Sequence, residues 1–355
     1  MSVAKAVPEM AVAVKNQPRP APQQIVFGAA LGHIVSSCIQ AAVKLEIIEH
    51  IASGTRQVSQ LAQKARVNNE DAVYRILRVL EMAGLVVEDS SRSFQLTEAG
   101  SLLRKDAPGS MRHIVEFMTD PLHSKVYGQV TEAIKAGQVP FERVFGEQFF
   151  QWVTRPENQD EATVFHNAMV SFSESCIAAF LEAYDFSQFH TIADVGGGLG
   201  GIVRAILKAC PKLKGMITEL PEVVEPARKA IAEDGLSSRC SAVVSDFFAS
   251  IPAGADAYFM KHILHDWNDE DATCILKNIR AVIPPLGKLV LAESVVPSDG
   301  TPHLFKLIDI EMLVFLRGKE RTEPEWRRLL SGAAFRLTRV IETKSPLNLI
   351  EALPA

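Results

Sequence analysis

The sequence has few cysteines, and none of them is arranged as a pair. The five are an odd number, lie far apart and form no Cys-x-x-Cys motif: Cys38, Cys176, Cys210, Cys240 and Cys274. This spacing argues against a disulfide framework and against the common zinc-binding patterns, because both need closely spaced or paired cysteines. We therefore expect reduced thiols and a cytoplasmic protein.

Features of exported, membrane-spanning and nucleic-acid-binding proteins are also missing. No run of 18 apolar residues is available to cross a bilayer. Residues 1–22 lack the apolar core of a signal peptide and are rich in proline, so we predict a disordered tail there. The formal net charge of -5 gives no general attraction to nucleic acid or to an anionic membrane. We expect neither as a partner.

The chain does contain enough apolar material for two domains, since 47% of its 355 residues are hydrophobic. Residues 23–115 predict a helix over Gly28–Ile51, a second short helix, a third that Asn69 caps and then a hairpin, which is the outline of a winged helix. A second domain is predicted over residues 116–355. Its segment 116–188 is mostly helical, whereas in residues 189–355 apolar strands alternate with amphipathic helices. That alternation predicts a doubly wound, mostly parallel α/β sheet.

A glycine-rich loop follows the first predicted strand of this sheet. Residues 194–201 read Asp-Val-Gly-Gly-Gly-Leu-Gly-Gly and lead directly into a helix. Glycines allow a tight turn and a close approach by a ligand, while the start of the helix offers free N–H groups. The loop alone is ambiguous, because Gly196, Gly198 and Gly201 also fit the dinucleotide pattern G-x-G-x-x-G, with Glu219 as a ribose-binding acid. An NAD(P)-dependent oxidoreductase is therefore one alternative.

Acidic, basic and aromatic residues follow the next three predicted strands. Glu219 ends the second, Asp246 and Phe247 follow the third, and Lys261–Trp267 follows the fourth. Ligands of open α/β sheets bind at the carboxyl ends of the strands, so these motifs and the glycine loop converge on one crevice. An acid there can accept both hydroxyls of a ribose, and a carboxylate beside an aromatic ring can hold an adenine.

In this order, the motifs resemble the caffeate-type, plant-style O-methyltransferase family, which includes bacterial small-molecule and hydroxyindole O-methyltransferases. The resemblance covers residues 25–345 and rests on DVGGGLG at 194–200, LP at 220–221, SDFF at 245–248, HDW at 265–267 and GKERT at 318–322. It implies a Rossmann-like class I methyltransferase domain, preceded by a mainly helical winged-helix dimerisation domain, and a homodimer. The implied activity transfers a methyl group from S-adenosylmethionine (SAM) to a hydroxyl of a small, aromatic (phenolic or polyketide-like) metabolite of secondary metabolism. The product of the cofactor is S-adenosylhomocysteine.

Carried over position by position, the resemblance also implies roles for single residues. His265 resembles the general base, and Glu293 and Glu320 resemble the acids that flank and orient it. The implied cofactor-binding residues are Gly196, Gly198, Glu219, Leu220, Asp246, Phe247, Lys261 and Ser173. The candidates for acceptor binding are Met169, Met312, Phe149 and Trp152. Glu219 departs from the aspartate usual in plant members, and the segment after Met312 is one residue shorter than the plant pattern.

The chemistry of methylation explains why a histidine belongs at this position. A phenol has a pKa near 10, so it is mostly protonated at pH 7. An imidazole can take its proton as the new bond forms, and a carboxylate on the other ring nitrogen fixes the tautomer. His265 is the expected base, whereas Asp266 is expected to point elsewhere.

Two other interpretations of these residues concern a metal ion and DNA. The acidic cluster at 266 and 269–271 suggests a metal, but Asn268 capping a helix with an acidic first turn explains it, so no metal is expected. A winged helix also suggests a DNA-binding regulator. Residues 23–115 contain ten Lys or Arg and nine Asp or Glu, a balance of +1, which is no basic footprint. A dimerisation role is favoured instead.

Overall fold

The computed structural model describes residues 21–355. The tail predicted over 1–22 lies outside this range except for its last two residues, and Pro22 already begins a helix. The described chain forms two compact units. One comprises residues 21–128 with Val153–Phe172, and the other comprises Gln129–Trp152 with Ser173–Ala355. Because both units are discontinuous in sequence, the domain boundary predicted at residue 115 stays a prediction.

The first unit is mainly helical, with one short antiparallel hairpin, β1–β2. Its elements are α1 (Pro22–Ala30), α2 (Gly32–Lys44), α3 (Ile47–Ala52), α4 (Val58–Lys64), α5 (Glu70–Met82), β1 (Val86–Glu88), β2 (Phe94–Leu96), α6 (Glu98–Ser101), α7 (Arg112–Met118), α8 (Pro121–Tyr127) and the first half of α12 (Gln159–Ala183). The single helix predicted over Gly28–Ile51 is wrong, because breaks at Leu31 and at Glu46, whose φ is 55°, divide it into three.

Helix α5 and the hairpin form where the sequence predicts them. Asn69 Oδ1 accepts a hydrogen bond from the backbone N–H of Ala72 at 3.1 Å, which caps the start of α5. Val73, Leu77 and Leu80 lie on one face of the helix and are buried. They pack into a core with α2, α3, α4 and the hairpin. Two helices followed by a hairpin give the winged-helix outline.

The second unit is built on a seven-stranded sheet. Its elements are α9 (Val130–Lys135), α10 (Pro140–Phe145), α11 (Phe149–Val153), the second half of α12, β3 (Thr191–Val195), α13 (Gly201–Ala209), β4 (Lys214–Glu219), α14 (Pro221–Glu233), β5 (Cys240–Val244), β6 (Ala257–Lys261), α15 (Asp269–Val282), β7 (Lys288–Glu293), α16 (Phe305–Phe315), α17 (Glu323–Gly332), β8 (Phe335–Ile341) and β9 (Asn348–Pro354).

The strand order in the sheet is β5-β4-β3-β6-β7-β9-β8. Strands β3 to β7 are parallel to one another, and β9 is antiparallel to both β7 and β8. The predicted fold class, a doubly wound and mostly parallel α/β sheet, is confirmed. The chain runs from β3 outward to β5 and then returns to β6 on the other side of β3. This reversal places a ligand crevice beyond the carboxyl end of β3.

Strand β9 lies inside the sheet and is fixed by a buried carboxylate. Glu351 accepts hydrogen bonds from Tyr184 Oη at 2.6 Å, Lys288 Nζ at 3.0 Å and Arg339 Nη2 at 3.0 Å. Burial acts to raise the pKa of Glu351, but the hydrogen bonds from Arg339, Tyr184 and Lys288 outweigh it and lower the pKa to about 2. These bonds join β9 to β7, to β8 and to the segment after α12.

Helix α12 also has the length and composition of a membrane span. With the short 3-10 turn before it, the segment Pro156–Ala183 contains a window of mean hydropathy 1.2, of which 22% is buried. Helices α1 and α2 meet the same test only as a pair bent by 45°. A core helix of a soluble protein satisfies these two criteria equally, so they are weak evidence for a membrane.

Candidate active site

The glycine loop after β3 adopts a backbone that side chains would not permit. Gly196 and Gly200 have φ of +69° and +73°, in the left-handed region. A Cβ atom on Gly200 would lie 2.1 Å from Ile217 Cδ1, and one on Gly196 would lie 2.8 Å from Ile263 Cδ1. At Gly198, by contrast, an added Cβ would meet no atom within 4 Å. The loop is therefore packed on one side and open on the other.

Glu219, at the end of β4, reaches this glycine loop. Its Oε1 accepts a hydrogen bond from Gly198 N at 3.0 Å, and its Oε2 accepts one from Leu220 N at 2.8 Å. Leu220 itself is 44% exposed. The structure thus brings together three residues that the sequence assigned to one cofactor, although their contacts with that cofactor stay a prediction.

Asp246 and Phe247 occupy the turn after β5. Asp246 is exposed, and its Oδ1 accepts a hydrogen bond from Phe248 N at 2.9 Å. Asn278 Nδ2 on α15 donates to the carbonyl oxygen of Phe247 at 2.8 Å, which fixes the turn against the helix. The Phe247 ring is half-buried and lies 6.2 Å from that of Trp267.

These groups suit an adenosyl cofactor. The Glu219 carboxylate can accept ribose hydroxyls beside the open face of Gly198, and the exposed Asp246 carboxylate next to the Phe247 ring can hold an adenine. Lys261 ends the neighbouring strand β6, and burial lowers its pKa. Ser173 is half-buried on α12. Sequence reasoning predicted both as cofactor contacts, and both assignments stay predictions.

His265 lies in a 3-10 turn, Leu264–Asp266, that follows β6. It is 5% exposed, and its Nδ1 lies 2.8 Å from Glu320 Oε1 in a hydrogen bond. With this carboxylate on Nδ1, the favoured neutral tautomer carries its proton on Nδ1 and leaves Nε2 as the acceptor. The other ring nitrogen is therefore the atom that can take a proton.

The segment after α16 holds this turn in place. A Cβ atom on Gly318 would lie 1.9 Å from the carbonyl oxygen of His265, so only glycine fits. Lys319 N donates to the same carbonyl at 2.9 Å. Arg321, fully buried, donates through Nη1 to Leu264 O and through Nη2 to Trp267 O, both at 2.8 Å. The GKERT motif at 318–322 thus binds the backbone of the turn and places Glu320 against His265. The motif was visible in the sequence, but the roles of Gly318 and Arg321 were not predicted from it.

Glu293 supports the backbone before His265. Its Oε1 accepts hydrogen bonds from Ile263 N at 3.2 Å and Leu264 N at 3.0 Å, and the residue is completely buried. Burial raises the pKa of its carboxyl group to about 7. Of the two acids predicted to orient the histidine, Glu320 is therefore the one hydrogen-bonded to it.

The expectation that Asp266 points elsewhere is wrong. Its Oδ1 lies 3.2 Å from His265 Nε2. Burial acts to lower the pKa of His265, but the Asp266 and Glu320 carboxylates outweigh it and raise the pKa to about 9. The pKa of Asp266 itself is raised by burial to about 6. In this arrangement the imidazole lies between two carboxylates, and both of them favour its protonated form.

Two features bear on a metal ion. Asn268 Oδ1 accepts hydrogen bonds from Glu270 N and Asp271 N, both at 2.9 Å, so the capping interpretation of the acidic cluster is confirmed. Ligand atoms of His262, His265 and Glu293 lie within 4.8 Å of one another, a grouping that the sequence analysis did not identify. One of the two ring nitrogens of His265, Nδ1, already bonds to Glu320.

The predicted acceptor residues fall in both units. Phe149, Trp152 and Met312 belong to the second unit and are 4%, 9% and 8% exposed. Phe149 and Trp152 belong to an aromatic cluster, in which Phe149 is 5.9 Å from Phe315 and other rings come from α10. Met169 is half-buried and belongs to the first unit. Their contact with an acceptor stays a prediction.

Comparison with known proteins agrees with this geometry. Residues 127–336 match the model of the O-methyltransferase domain, and residues 27–106 match that of the O-methyltransferase dimerisation domain. A phenazine O-methyltransferase from Lysobacter antibioticus is 33% identical over 330 residues, covering 93% of this chain and 96% of that protein.

Two solved structures are also similar. A methyltransferase of calicheamicin biosynthesis, bound to S-adenosylhomocysteine, has a TM-score of 0.85 at 30% identity, covering 96% of this chain and 100% of that one. An O-methyltransferase of neocarzinostatin biosynthesis, in complex with SAM and 2-hydroxy-5-methyl naphthoic acid, has a TM-score of 0.74 at 26% identity, covering 90% and 96%. Neither an oxidoreductase nor a DNA-binding regulator is supported. The chain therefore belongs to the SAM-dependent O-methyltransferase family with an N-terminal dimerisation domain.

Proposed function

We propose that this small-molecule methyltransferase uses His265 as a general base to methylate a hydroxyl of an aromatic acceptor. The observation that supports this most directly is the hydrogen bond between His265 Nδ1 and Glu320 Oε1. It directs Nε2 away from Glu320, and it stabilises the imidazolium that forms when a proton is taken. Glu320 is then a positioning residue, and Glu293 fixes the backbone on which the histidine is mounted.

The reaction needs one proton transfer and one displacement. SAM, when bound, supplies a methyl group already activated by its sulfonium. The acceptor oxygen must lie about 3–3.5 Å from that carbon and in line with the breaking bond. As the new carbon–oxygen bond forms, the hydroxyl proton passes to Nε2 of His265, which contributes roughly 10²–10⁴-fold in rate. No metal takes part in these steps.

Residues around the crevice would bind the cofactor in this proposal. Glu219 accepts the ribose hydroxyls, and Asp246 and Phe247 hold the adenine. Gly196 and Gly198 leave room for the methionine portion beside the start of α13, where free N–H groups face the ligand. Further contacts are assigned to the remaining predicted residues: Leu220, Lys261 and Ser173.

An aromatic acceptor is favoured by two observations. The second unit carries a cluster of aromatic side chains from α10, α11 and α16, of which Phe149 and Trp152 form part. The neocarzinostatin relative is described in complex with a hydroxylated naphthoic acid, and the Lysobacter relative is named for phenazine methylation. We assign Phe149, Trp152 and Met312 to the acceptor pocket on this basis, and the role of Met169 stays a prediction from the sequence.

We propose further that the protein acts as a cytoplasmic homodimer. No residue of α1 is buried, and three adjacent apolar residues on it are strongly exposed: Ile25 at 58%, Val26 at 71% and Phe27 at 67%. Such a patch is typical of a surface that is covered by a partner. The O-methyltransferase dimerisation-domain model matches residues 27–106, beginning at Phe27 within α1, which favours a second copy of the chain as the partner.

Replacing the proposed base tests the function. His265→Ala should lower kcat by about 10²–10⁴-fold, because in this proposal the imidazole is the group that receives the hydroxyl proton. Turnover is measured as S-adenosylhomocysteine formed with a panel of hydroxylated naphthoic acids and phenazines. Affinity for S-adenosylhomocysteine, measured by calorimetry, should change little.

The matched control is His190→Gln, because the His190 side chain is 97% exposed. It should behave as the wild type. Unchanged turnover in His265→Ala would overturn the general-base assignment. Binding of NAD or NADP without binding of S-adenosylhomocysteine would overturn the cofactor assignment.

A further inference from the structure

The position of the Asp266 carboxylate at His265 Nε2 conflicts with the proposed role of His265. A general base must be neutral to accept a proton, yet carboxylates on both ring nitrogens favour the cation. Glu320 lies on Nδ1, where it does not obstruct the acceptor. Asp266 lies at Nε2, which is the nitrogen that the acceptor hydroxyl needs. The group that must change position before the reaction is therefore Asp266.

The two carboxylates are held differently. The Glu320 contact, at 2.8 Å, has the geometry of a hydrogen bond, and the Glu320 side chain is 0% exposed. The Asp266 contact, at 3.2 Å, is an ion pair without hydrogen-bond alignment, and this side chain is 14% exposed. Within residues 21–355, no hydrogen bond fixes the Asp266 carboxylate. Of the two carboxylates, that of Asp266 is therefore the one that can move away from the His265 ring.

The backbone of the turn cannot move with it. Arg321 holds the carbonyl oxygens of Leu264 and Trp267, and Lys319 N holds that of His265. Glu293 holds the N–H groups before the histidine. Release of Nε2 therefore requires only rotation of the Asp266 side chain, with the imidazole staying on Glu320.

We propose that Asp266 is a displaceable counter-ion that occupies His265 Nε2 in the acceptor-free enzyme and gives up this nitrogen when the acceptor binds. This inference rests on the proposed role of His265 as the base. As Asp266 leaves, the N–H bond at Nε2 breaks and an O–H bond forms on the Asp266 carboxylate, which releases the proton to water. Nε2 is then neutral and accepts the proton of the acceptor hydroxyl. Asp266 is a positioning residue in this scheme.

Other charged groups face the pair and must stay constant in a test. They are Glu320 and Arg321 after α16, Glu293 at the end of β7, and Lys261 and His262 at the end of β6. Asp266→Asn leaves all of them in place and removes one charge from Nε2. Because an anion within about 4 Å favours the imidazolium, its loss should lower the pKa of His265 by about 1 unit or more.

The first measurement is an NMR titration of ¹³C-labelled histidine in the full-length protein with S-adenosylhomocysteine and no acceptor. The His265 signal is identified by its absence in His265→Gln. Asp266→Asn should shift its titration to lower pH, and Asp266→Glu should restore part of the shift. The control, Glu270→Gln, removes the same charge from an exposed position and should titrate as the wild type.

The second measurement compares pH profiles for an acceptor that the panel identifies. The profile of kcat/KM reports the free enzyme, and that of kcat reports the complex. In the wild type, the acid limb of kcat should lie below that of kcat/KM, because Asp266 has left in the complex. In Asp266→Asn the two limbs should approach each other.

The outcomes separate the two proposals. An unchanged His265 titration in Asp266→Asn overturns the counter-ion assignment and leaves the general base standing. An equal loss of kcat and kcat/KM at every pH indicates a structural role and also overturns it. A normal rate in His265→Ala, by contrast, removes the general base itself, whatever the titration shows.

Discussion

Glu219 shows how one side chain can serve both the fold and the ligand. Its two oxygens accept N–H groups from the glycine loop and from the residue that follows β4. A carboxylate oxygen has more than one lone pair, so each can also accept a ribose hydroxyl. The predicted departure from aspartate at this position is accommodated because the longer side chain spans the gap to Gly198.

Glu219→Ala should weaken S-adenosylhomocysteine binding by at least about tenfold, which corresponds to 1.4 kcal/mol. The reason is the loss of two acceptors for the ribose and of the bond that positions Gly198. Calorimetric titration measures this affinity. Glu222→Gln, on the exposed start of α14, is the control and should bind normally. Equal affinities for both variants would show that the ribose lies elsewhere.

For single residues, the sequence predicted that His265 and Glu320 meet, but it did not predict every contact of the turn that carries His265. His265 and Glu320 are separated by 55 positions, and only the order of motifs suggested that they meet. Asp266 was misplaced because adjacent residues in a tight 3-10 turn can both face the same side, which a strand-like alternation does not anticipate. Side-chain torsions of this kind are set by packing that the sequence does not display.

The element that matters most for the site is the segment between α16 and α17. Its Gly318 lies against the carbonyl oxygen of His265, with no room for a methyl group. A substitution here displaces either the segment or the turn, and in both cases Glu320 and His265 separate.

Gly318→Ala should therefore lower kcat by about tenfold or more and reduce the melting temperature, because the added atom would overlap the turn. Steady-state turnover and thermal unfolding measure the two effects. Gly332→Ala, at the end of α17, is the matched control, since a Cβ there would meet nothing within 4 Å. If both variants retained full activity, the segment between α16 and α17 would not be what positions His265.

Some of the helices and strands were predictable from the sequence. The alternation of apolar strands with amphipathic helices predicted the parallel part of the sheet, β3 to β7. Strands β8 and β9 were not predicted; in β8 the pairing with β9 shifts register between Leu337 and Arg339, which a simple alternation does not anticipate. The helix break at Glu46 was also missed. Glu46 has a left-handed backbone conformation, and neither a glycine nor a proline at this position indicates it in the sequence.

At the scale of the whole molecule, the exposed apolar residues of α1 predict that the protein is a dimer in solution. Light scattering should report twice the chain mass of 38.9 kDa, because pairing covers Ile25, Val26 and Phe27. Phe27→Glu should shift the population toward the monomer by placing a charge in that surface.

The control for this experiment is Leu286→Glu, which makes the same type of change at a residue that is 92% exposed in the other unit. It should leave the mass unchanged. A wild-type protein that stays monomeric at micromolar concentration would contradict the homodimer proposal.

Strand β9 is synthesised after β7 and β8 but lies between them in the sheet. This strand is the last of the described strands to leave the ribosome, yet it pairs between β7 and β8 and carries the carboxylate that binds both. Until it emerges, β8 has no neighbour, and β7 exposes an unpaired edge. A nascent chain that has already formed its first unit therefore keeps an open sheet edge until β9 emerges, and during this interval it is most exposed to aggregation.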